Sequence, residues 1–500
     1  MASLALNLVE AKQMYPRRAA VRLDDHVLTY EELDDRSARV ASLLAARGVE
    51  PGDRVGLMLP NVPQFPVLYY GVLRAGAVVV PMNPLLKARE VAYYLGDSGA
   101  GLIFAWEATA EEAAKGAEAA GAELVAVAPG AFEQLLGDHP PQAAVSGRGD
   151  HDTAVILYTS GTTGKPKGAE LTHANLVRNA AVSGATLFHL EPGDVVMGCL
   201  PLFHSFGQTC GLNATVASGA CLTLLPRFDP GRALEVIQRD RVTVFEGVPT
   251  MYAAMLNHPR RGDFDPGSLR VCVSGGAALP MEVLRGFEDA FGCVILEGYG
   301  LSETSPVASF NHPDRERKPG SIGTPIEGVE MRLVDPAGGD VPAGEVGEIA
   351  IRGHNLMKGY WRREDATREA IPDGWFRTGD LARQDEDGYY FIVDRKKDLI
   401  IRGGYNVYPR EVEEVLYEHP AVAEAAVVGV PHPTHGEEVG AAVVLKPGAE
   451  ATPAELQAFC RERVAAYKYP RHVWLEAALP KTATGKLLRR EVVPPEGLSP

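Results

Sequence analysis

Short apolar runs alternate with amphipathic helical patterns along about the first 330 residues of this 500-residue chain. Apolar runs at 55–59, 77–82 and 101–105 predict buried strands, and helical patterns at 64–75 and 87–95 stand between them. Strands that alternate with helices build parallel sheets whose two faces are covered by helices. A chain of this length also exceeds the usual size of one hydrophobic core. The pattern therefore predicts a large N-terminal domain of layered α/β subdomains.

Several predicted helices carry capping signals at their ends. Thr29 and Glu32 have the spacing of a capping box, and the helical stripe that follows stops at Gly48. Thr172 is expected to cap a later helix. Residues 108–127 are rich in Ala and Glu, which predicts a helix on the protein surface.

The composition changes after about residue 330. Residues 318–351 contain many Gly, Pro and Val, which predicts a small β-rich subdomain with tight turns. Beyond the charged segment 394–398, the chain has a pattern of its own. That pattern comprises a helix at 409–418, strands at 423–430 and 440–446, and a second helix opened by Thr452, Pro453 and Glu455. We predict an N-terminal domain over 1–394 and a small, mobile α+β domain over 395–500, with a hinge near 394–398.

The formal net charge of −16 limits the partners of this chain. A strongly acidic protein is a poor candidate for general nucleic-acid binding, so no nucleic-acid partner is expected. Small polyanions remain compatible with the sequence, because a local cradle of backbone N–H groups and one lysine can hold a phosphate.

Cysteine usage and the N-terminal segment bear on location. None of the six cysteines forms a C-x-x-C pair and most lie in apolar runs, so we expect buried free thiols in a reducing compartment. The N-terminal segment carries its charge after its apolar part and lacks a signal-peptide cleavage site. No run of 18 apolar residues occurs, so no transmembrane segment is expected, and the cytoplasm is the expected location.

The segment 158–168, with the sequence YTSGTTGKPKG, is the most informative part of the chain. It follows an apolar strand at 154–157. Its three glycines permit backbone conformations in which successive N–H groups face one anion, and its hydroxyls and lysines add donors and positive charge. The segment suits a polyphosphate. It is not a Walker A loop, because Thr159 and Pro166 stand where that loop requires Gly and Ser or Thr.

This segment resembles the signature loop of the adenylate-forming superfamily, which comprises acyl-CoA synthetases, nonribosomal-peptide adenylation domains and beetle luciferases. Six further segments match that family in order and span nearly the whole chain. They are 201–207 (PLFHSFG), 274–278 (SGGAA), 298–304 (GYGLSET), 375–380 (WFRTGD), 394–398 (DRKKD) with 402–404 (RGG), and 480–486 (PKTATGK). The resemblance implies an enzyme that joins a carboxylic acid to AMP at the expense of ATP. In its acyl-CoA synthetase branch, the acyl group then passes to coenzyme A.

The resemblance also implies a set of residues that bind ATP and AMP together with Mg²⁺. Glu303 is expected to help bind Mg²⁺ and so to serve catalysis, since a carboxylate beside a polyphosphate requires a bridging cation. Tyr299 is expected to stack on adenine. Asp380 and Arg395 match the ribose contacts of the family, and an ionised carboxylate can accept bonds from both ribose hydroxyls. The other nucleotide contacts implied are Thr159, Ser160, Gly161, Thr162, Thr163, Gly164, Lys165, Gly276, Ala277, Gly300 and Ser302.

Roles in catalysis and acyl transfer follow from the same resemblance. Lys486 is expected to contact the substrate carboxylate and the α-phosphate together, where its charge stabilises the transition state. His204 is expected to gate the pocket or to position the acid. Lys397 occupies the hinge position of the family, about which the small domain rotates between the two half-reactions. Gly403 and Gly404 are expected to leave room for the pantetheine arm of coenzyme A.

The residues expected around the acyl group favour an apolar acid. Amino-acid-activating relatives place Asp in the pocket segment, whereas this chain has His204 there, and burying an ammonium without a carboxylate is costly. A medium- or long-chain fatty acid fits best, with arylpropenoic and benzoic acids as alternatives. The expected pocket residues are Phe203, Phe206, Gly247, Val248, Gly275, Gly298 and Val307.

Free coenzyme A is the expected acyl acceptor, because no carrier domain occurs in the 14 residues after Lys486. The alternatives are an acyl-AMP ligase that loads a separate carrier protein, a luciferase-like oxygenase, and a nucleotide-binding protein that has lost catalysis. Glu303, Asp380 and Lys486 argue against the last of these. A homodimer is compatible with the sequence. His432-x-x-His435 has no Cys or His partner at ligand spacing, so it is expected to be a plain loop.

Overall fold

The computed structural model describes residues 3–159, 165–483 and 485–495. Its first part contains α1 (Ala5–Met14), β1 (Ala19–Leu23), β2 (His26–Thr29), α2 (Tyr30–Ala46), β3 (Arg54–Met58), α3 (Gln64–Arg74), β4 (Val78–Pro81), α4 (Ala88–Ser98), β5 (Leu102–Trp106), α5 (Ala110–Ala120), β6 (Glu123–Val127), α6 (Ala131–Gly137), β7 (Thr153–Thr159), β8 (Lys167–Thr172) and α7 (His173–Val182). The central part contains β9 (Val195–Gly198), a π-helical segment (Gly207–Asn213), α8 (Ala214–Ala217), β10 (Cys221–Leu224), α9 (Pro230–Asp240), β11 (Val244–Gly247), α10 (Pro249–Leu256), β12 (Val271–Ser274), α11 (Met281–Phe291), β13 (Val294–Gly300), β14 (Val307–Phe310) and β15 (Thr324–Pro325). The last part contains β16 (Val329–Val334), β17 (Gly347–Gly353), β18 (Gly359–Tyr360), α12 (Glu364–Ala370), β19 (Phe376–Gln384), β20 (Tyr390–Arg395), β21 (Ile400–Arg402), β22 (Tyr405–Val407), α13 (Pro409–Tyr417), β23 (Val422–His432), β24 (Gly436–Leu445), α14 (Pro453–Arg461) and β25 (His472–Leu475).

A seven-stranded sheet, in the order β18-β8-β7-β4-β3-β5-β6, organises most of the first part. Its strands from β7 to β6 run parallel, so the chain must cross a face of the sheet between them, and α3, α4 and α5 make such crossings. Antiparallel β8 and β18 extend the sheet beyond β7. The segment 158–168, which is predicted to bind a polyphosphate, is called the phosphate-type segment below. Because β7 ends at Thr159, this segment begins at the carboxyl end of a strand whose neighbour β4 is parallel.

A second, nine-stranded sheet has the order β15-β14-β13-β12-β11-β9-β10-β1-β2. The six neighbours from β13 to β1 are parallel, and antiparallel strands close both edges. One buried apolar cluster joins the two sheets, with Leu57 and Val79 from the first and Val196 and Val244 from the second. Such burial explains why these strands appear in the sequence as continuous apolar runs.

The last part of the chain adds two smaller sheets. An antiparallel sheet in the order β16-β17-β19-β20 forms the expected β-rich subdomain. A separate five-stranded sheet pairs β23 with β24 and packs against α13 and α14 around its own apolar cluster, which includes Val412, Val427 and Leu456. The expected fold class, layered α/β with a smaller α+β C-terminal domain, is confirmed. The boundary at 394–398 stays a prediction; it falls where β20 ends and the turn before β21 begins.

Local signals in the sequence agree with these elements at several points. Capping boxes are present at Thr29, Thr172 and Thr452. All six cysteines are buried free thiols, as expected. Among the helices of the described ranges, none has the length and apolar character that crossing a bilayer requires.

Two local expectations need correction. The surface helix expected at 108–127 ends as α5 at Ala120, and Glu123–Val127 forms strand β6. The alternation of exposed and core-facing residues there, with Val125 and Val127 inside, carries the strand signal. Strand β8 was not predicted between the phosphate-type segment and the helix capped by Thr172; pairing with β7 forms it and buries alternate residues.

Close packing of α2 against α3 depends on one glycine. A Cβ at Gly71 would lie 2.4 Å from the Cβ of Val40, far inside van der Waals contact. We predict that Gly71→Ala lowers the free energy of unfolding by about 1–3 kcal/mol through overpacking. Gly96→Ala in α4 is the matched control, because no neighbouring element of the described chain lies within 4 Å of a Cβ there. Chemical denaturation measures both variants, and equal losses would contradict the packing argument.

Candidate active site

Strands of the nine-stranded sheet present their carboxyl ends along one edge. β11 ends at Gly247, β12 at Ser274 and β13 at Gly300. Ligands bind at this edge of open α/β sheets because the loops that follow the strands converge there. Most residues predicted to bind the nucleotide and the acyl group lie on these strand ends or in loops next to them.

Glu303 connects the phosphate-type segment with the loop after β13. Its Oε1 accepts hydrogen bonds from Thr159 Oγ1 at 3.3 Å and from Tyr360 Oη at 2.9 Å, and the residue is only 9% exposed. Lys167 Nζ lies 5.2 Å from the centre of the Tyr360 ring, which adds positive charge beside the carboxylate. Lys165 is exposed. An ionised carboxylate with two donors retains acceptor positions, so this group fits an oxygen-binding cation such as Mg²⁺.

The remainder of the predicted phosphate loop, Ser160, Gly161, Thr162, Thr163 and Gly164, lies outside the described residues, and its role stays a prediction. Ser302, another predicted nucleotide contact, is described. Its Oγ lies 3.4 Å from Ser205 Oγ, which links the loop of Glu303 to the segment that carries His204.

Asp380 makes the central contacts on the other side of the cleft. Its Oδ2 accepts a hydrogen bond from Tyr299 Oη at 2.6 Å, and its Oδ1 lies 3.2 Å from Arg395 Nε. Asp380 is 6% exposed, and its own N–H donates to Thr378 Oγ1. Burial and the Asp380 charge raise the pKa of Tyr299, so the phenol keeps its proton and acts as a donor. The structure thus brings together the three residues predicted to hold adenine and ribose.

Two glycines at this edge serve different purposes. Gly276 has φ +79°, and a Cβ there would meet only Val248 among the described residues, 3.5 Å away, so Gly276 and the exposed Ala277 leave an open face. A Cβ at Gly300 would lie 1.8 Å from the carbonyl oxygen of Pro306. The first position is therefore open to a flat ligand, whereas the second is required by packing against the segment before β14.

The predicted acyl residues have apolar surroundings. A Cβ at Gly275 would lie 3.0 Å from the Phe206 ring, and one at Gly298 would lie 2.4 Å from the Phe310 ring. Glycine at both positions therefore lets aromatic rings approach the strand ends. Of the other predicted pocket residues, Phe203 is half-buried, and Gly247, Val248 and Val307 are buried.

The loop that carries Lys486 docks on the end of β11. Thr250 Oγ1 donates a hydrogen bond to the carbonyl of Gly485 at 2.8 Å. A Cβ at Gly485 would lie 3.2 Å from Val248 Cγ2, so the loop backbone packs directly on the strand end. Lys486, a residue of the C-terminal part, therefore lies at a cleft formed by the N-terminal part.

Burial governs the ionisation of Lys486 and its neighbour His204. Burial, followed by the charge of Arg395, lowers the pKa of Lys486 to about 8. Burial, followed by the charge of Lys486, lowers the pKa of His204 to about 4. A neutral imidazole therefore stands near a lysine that is still mostly protonated at neutral pH.

An ion-pair network secures the chain after Lys486. Arg489 Nη1 lies 2.9 Å from Asp394 Oδ1, and Arg489 Nε donates to Glu413 Oε1 at 2.8 Å. Asp394 Oδ2 also accepts a hydrogen bond from the N–H of Arg410 at 3.0 Å. The end of β20, helix α13 and the C-terminal segment are held by one set of charges.

The residues predicted for the hinge and the coenzyme A channel lie apart from this cleft. Lys397 is exposed in the turn between β20 and β21. Gly403 and Gly404 form the turn between β21 and β22, with φ of +55° and +86°. Gly403 N–H donates to the carbonyl of His435 at 2.8 Å, so this turn packs on the one between β23 and β24.

A carboxylate joins the two histidines at that turn. Ligand-type atoms of His432, His435 and Glu438 lie within 4.8 Å of one another. Glu438 was missed because only Cys and His partners were considered. Arg402 Nη2 donates to Glu438 Oε2 at 2.8 Å, and the two imidazoles are joined through Nδ1 atoms 3.1 Å apart. Arg402 thus balances the charge of Glu438, and the expectation of a plain loop at His432 and His435 stays a prediction.

Sequence reasoning missed three polar contributors to the cleft. Tyr360 bonds Glu303 from β18, Thr250 anchors the loop of Lys486, and Thr378 supports Asp380. Thr378 stands inside the predicted segment 375–380, and Thr250 follows closely after the predicted pocket residues Gly247 and Val248, whereas nothing in the sequence near Tyr360 marks it.

This site combines a buried carboxylate beside a phosphate-type segment, a tyrosine–carboxylate–arginine group and a lysine supplied by the C-terminal part. Such a combination defines a class of nucleotide-dependent enzymes that activate a second substrate. A family profile described as AMP-binding enzyme matches residues 8–361, and one described as AMP-binding enzyme C-terminal domain matches residues 411–486.

Individual relatives match along nearly the whole chain. The chain is 42% identical to a feruloyl-CoA synthase of an Amycolatopsis species, with 97% of each chain covered. It is 38% identical to a long-chain-fatty-acid–CoA ligase of Bacillus subtilis, covering 98% of this chain and 94% of the relative. Among solved structures, ATP-bound MatB from Rhodopseudomonas palustris superposes with a TM-score of 0.91 at 35% identity, covering 98% and 97%. A benzoate CoA ligase from Burkholderia xenovorans gives 0.91 at 34% identity, covering 98% and 99%.

The chain therefore belongs to the AMP-binding enzyme family. The class expected from the sequence, an AMP-forming acid–thiol ligase of the adenylate-forming superfamily, is confirmed.

Substitution of Arg489 should show how much its ion pairs contribute to the stability of the C-terminal part. Arg489→Ala leaves the carboxylates of Asp394 and Glu413 buried without their partner, so we predict a loss of about 3–5 kcal/mol in the stability of this region. Arg368→Ala is the control, because its pair with Asp365 is exposed and should contribute at most about 0.5 kcal/mol. Hydrogen exchange of α13 and β20 measures the effect; unchanged protection in the first variant would contradict it.

Proposed function

We propose that the protein is an ATP-dependent acyl-CoA synthetase that forms an acyl-AMP and pyrophosphate and then transfers the acyl group to coenzyme A. One observation carries this proposal. Lys486 is half-buried, and its amine interacts with the charges of Arg395 and Asp380 and lies near His204, where the carboxylate of the acid and the α-phosphate of ATP would have to meet.

Adenylation joins two anionic groups, so the site must supply positive charge and hold the reactants in line. Lys486 provides a charge in a poorly solvated site, where a unit charge at about 4 Å contributes roughly 4 kcal/mol at an effective dielectric near 20. The part of this that develops only in the transition state accelerates the reaction. His204, neutral at neutral pH, can orient the acid without adding a competing charge.

The remaining nucleotide contacts follow from the geometry of the two sides of the cleft. Asp380 would accept bonds from the ribose hydroxyls, with Arg395 beside it, and Tyr299 would face adenine across the open surface at Gly276. Glu303, supported by Thr159 and Tyr360, would hold Mg²⁺, which supplies charge neutralisation to the phosphates.

Acyl transfer needs a different arrangement, because the thiol must reach a carbonyl that lies against the lysine loop. We propose that the C-terminal domain rotates about Lys397. That rotation would withdraw Lys486 and bring Gly403 and Gly404, exposed in the present arrangement, to the path of the pantetheine arm. Buried free thiols support a reducing, cytoplasmic setting.

The acid is proposed to have an apolar body, in keeping with Phe206, Gly275 and Val307 around the pocket. A medium- or long-chain fatty acid is the first candidate. An aryl acid is the second, favoured by the relative named feruloyl-CoA synthase and by the structural neighbour named benzoate CoA ligase.

A panel of fatty and aryl acids tests the proposal, with AMP and pyrophosphate measured in the presence and absence of coenzyme A. We expect pyrophosphate release that depends on the acid, and AMP release that also requires coenzyme A. Turnover that requires a carrier protein instead would identify a carrier-loading ligase. Absence of pyrophosphate release with every acid would refute adenylation.

Substitution of Lys486 should separate the two half-reactions. We predict that Lys486→Ala lowers adenylation by at least about 100-fold, because it removes a positive charge whose interaction with the reacting groups strengthens in the transition state. Thioester formation from supplied acyl-AMP should stay within about threefold of wild type, since this lysine is withdrawn for that step. Single-turnover assays of each half measure both effects, and an equal loss in both would argue against domain rotation.

The depressed pKa of Lys486 predicts a pH dependence. The charged amine predominates below its pKa of about 8 and is lost as pH rises through that value. We therefore expect kcat/KM for adenylation to fall above pH about 8, approaching tenfold per pH unit. Lys486→Arg keeps its charge throughout, so its residual activity should lack this alkaline decline. A decline that persists in the arginine variant would assign the titration to another group.

A further inference from the structure

A buried carboxyl group lies one residue before the end of β11. Glu246 is 1% exposed, and no hydrogen-bond partner from the described chain reaches its Oε1. A buried polar atom without a partner costs on the order of 1–3 kcal/mol, so its retention needs a reason. The proposed reaction at Lys486 makes no use of this carboxyl group.

Open space adjoins Glu246. Gly211 of the π-helical segment is buried, yet a Cβ there would meet only Glu246 Oε2, 3.3 Å away, among the described atoms outside its own helix. A buried glycine in a close-packed core would normally have several neighbours at that distance. Outside its own helix, no described atom other than this carboxylate oxygen lies within 4 Å of that position, so the packing leaves a small cavity that the carboxyl group of Glu246 borders.

This cavity belongs to the region predicted for the acyl group. Val244 packs in the same apolar cluster as Cys210 and Leu212 of the π-helical segment, and Glu246, two residues later on β11, faces the same side. That segment begins directly after Phe206, whose ring covers Gly275 on the neighbouring strand. The carboxyl group thus lies deeper along β11 than Gly247, away from the lysine loop at the strand end.

More polar atoms without partners occur on the same segment. Gln208 Oε1 and Thr209 Oγ1 are buried, and neither has a hydrogen-bond partner among the described residues. Burial raises the pKa of Glu246 to about 8, so at neutral pH it is mostly a neutral acid that can both donate and accept. Neutral groups of this kind match a hydroxyl better than they match an ion.

We propose that Glu246 forms the far end of the acyl pocket and selects acids whose apolar body ends in a hydroxyl group. The geometry of Glu246 and Gly211 carries this inference, which rests on the proposed acyl-CoA synthetase function. In such a complex the substrate hydroxyl would satisfy the Glu246 carboxyl. An acid lacking the hydroxyl would leave that carboxyl unpaired, and this difference discriminates between substrates.

Matched pairs of acids test this with the full-length enzyme and measured pyrophosphate release. The pairs are p-hydroxycinnamic against cinnamic acid and ω-hydroxydecanoic against decanoic acid. For at least one pair, wild-type kcat/KM should favour the hydroxylated acid by about tenfold or more, and Glu246→Leu should lower that ratio by about tenfold. Glu246→Gln keeps hydrogen-bonding capacity and should retain most of the preference.

Glu297→Gln is the matched control. Glu297 is also a buried carboxyl group, and burial raises its pKa to about 7, but the N–H groups of Leu279 and Gly320 already satisfy it. Its substitution should leave the ratio between paired acids unchanged. Because a ratio is unaffected by a loss of folded enzyme, modest instability of the variants does not obscure the result.

The outcomes separate this inference from the proposed function. If both pairs react but wild type prefers the acids without hydroxyls, or if Glu246→Leu leaves the ratio unchanged, the role of Glu246 is refuted while the synthetase function stands. If Glu246→Leu fails to fold, the wild-type preference and its retention in Glu246→Gln decide the matter. No pyrophosphate release with any acid would overturn both.

Discussion

The docking of one lysine-bearing loop on the end of a parallel strand is the contact on which the site depends. Lys486 belongs to the C-terminal part, while its surroundings belong to the N-terminal part, so the cleft is complete only when the two meet. Within the described residues, the contact includes a hydrogen bond from Thr250 to the carbonyl of Gly485 and close backbone packing against Val248. Such a contact suits the proposed rotation of the C-terminal domain, in which it would break and re-form during turnover.

Positive side chains lie around the cleft, although the protein as a whole is acidic. The chain is acidic overall, yet Lys486, Arg395 and Lys167 lie around the cleft, each near a carboxylate or an aromatic ring. Burial depresses the pKa of Lys486 and leaves its charge poorly solvated, which strengthens its interaction with an incoming anion. An acidic protein can therefore bind ATP, because field strength at the site depends on burial and distance rather than on net charge.

The proposed specificity for the acid would have two physical components. Aromatic and aliphatic side chains surround glycines at the strand ends, where an apolar body fits. Glu246 places a buried polar group deeper along β11, and Gln208 and Thr209 add others on the π-helical segment. The burial and missing partner of Glu246 are known only from the structure, because a glutamate before Gly247 looks in the sequence like any other polar residue at a strand end.

Sequence alone determined the α/β class, the capping boxes at Thr29 and Thr452, the helix cap at Thr172, and the family, because these depend on local periodicity and on contiguous motifs. The sequence also identified Asp380, Arg395 and Tyr299 as predicted nucleotide contacts, but it did not predict that they contact one another. Tertiary structure alone decided that β8 forms, that Tyr360 bonds Glu303, and that Arg489 joins α13 to β20. The last two features join residues far apart in the chain, and β8 forms by pairing with β7 and β18. Their free energy comes from burial and pairing that no local pattern records.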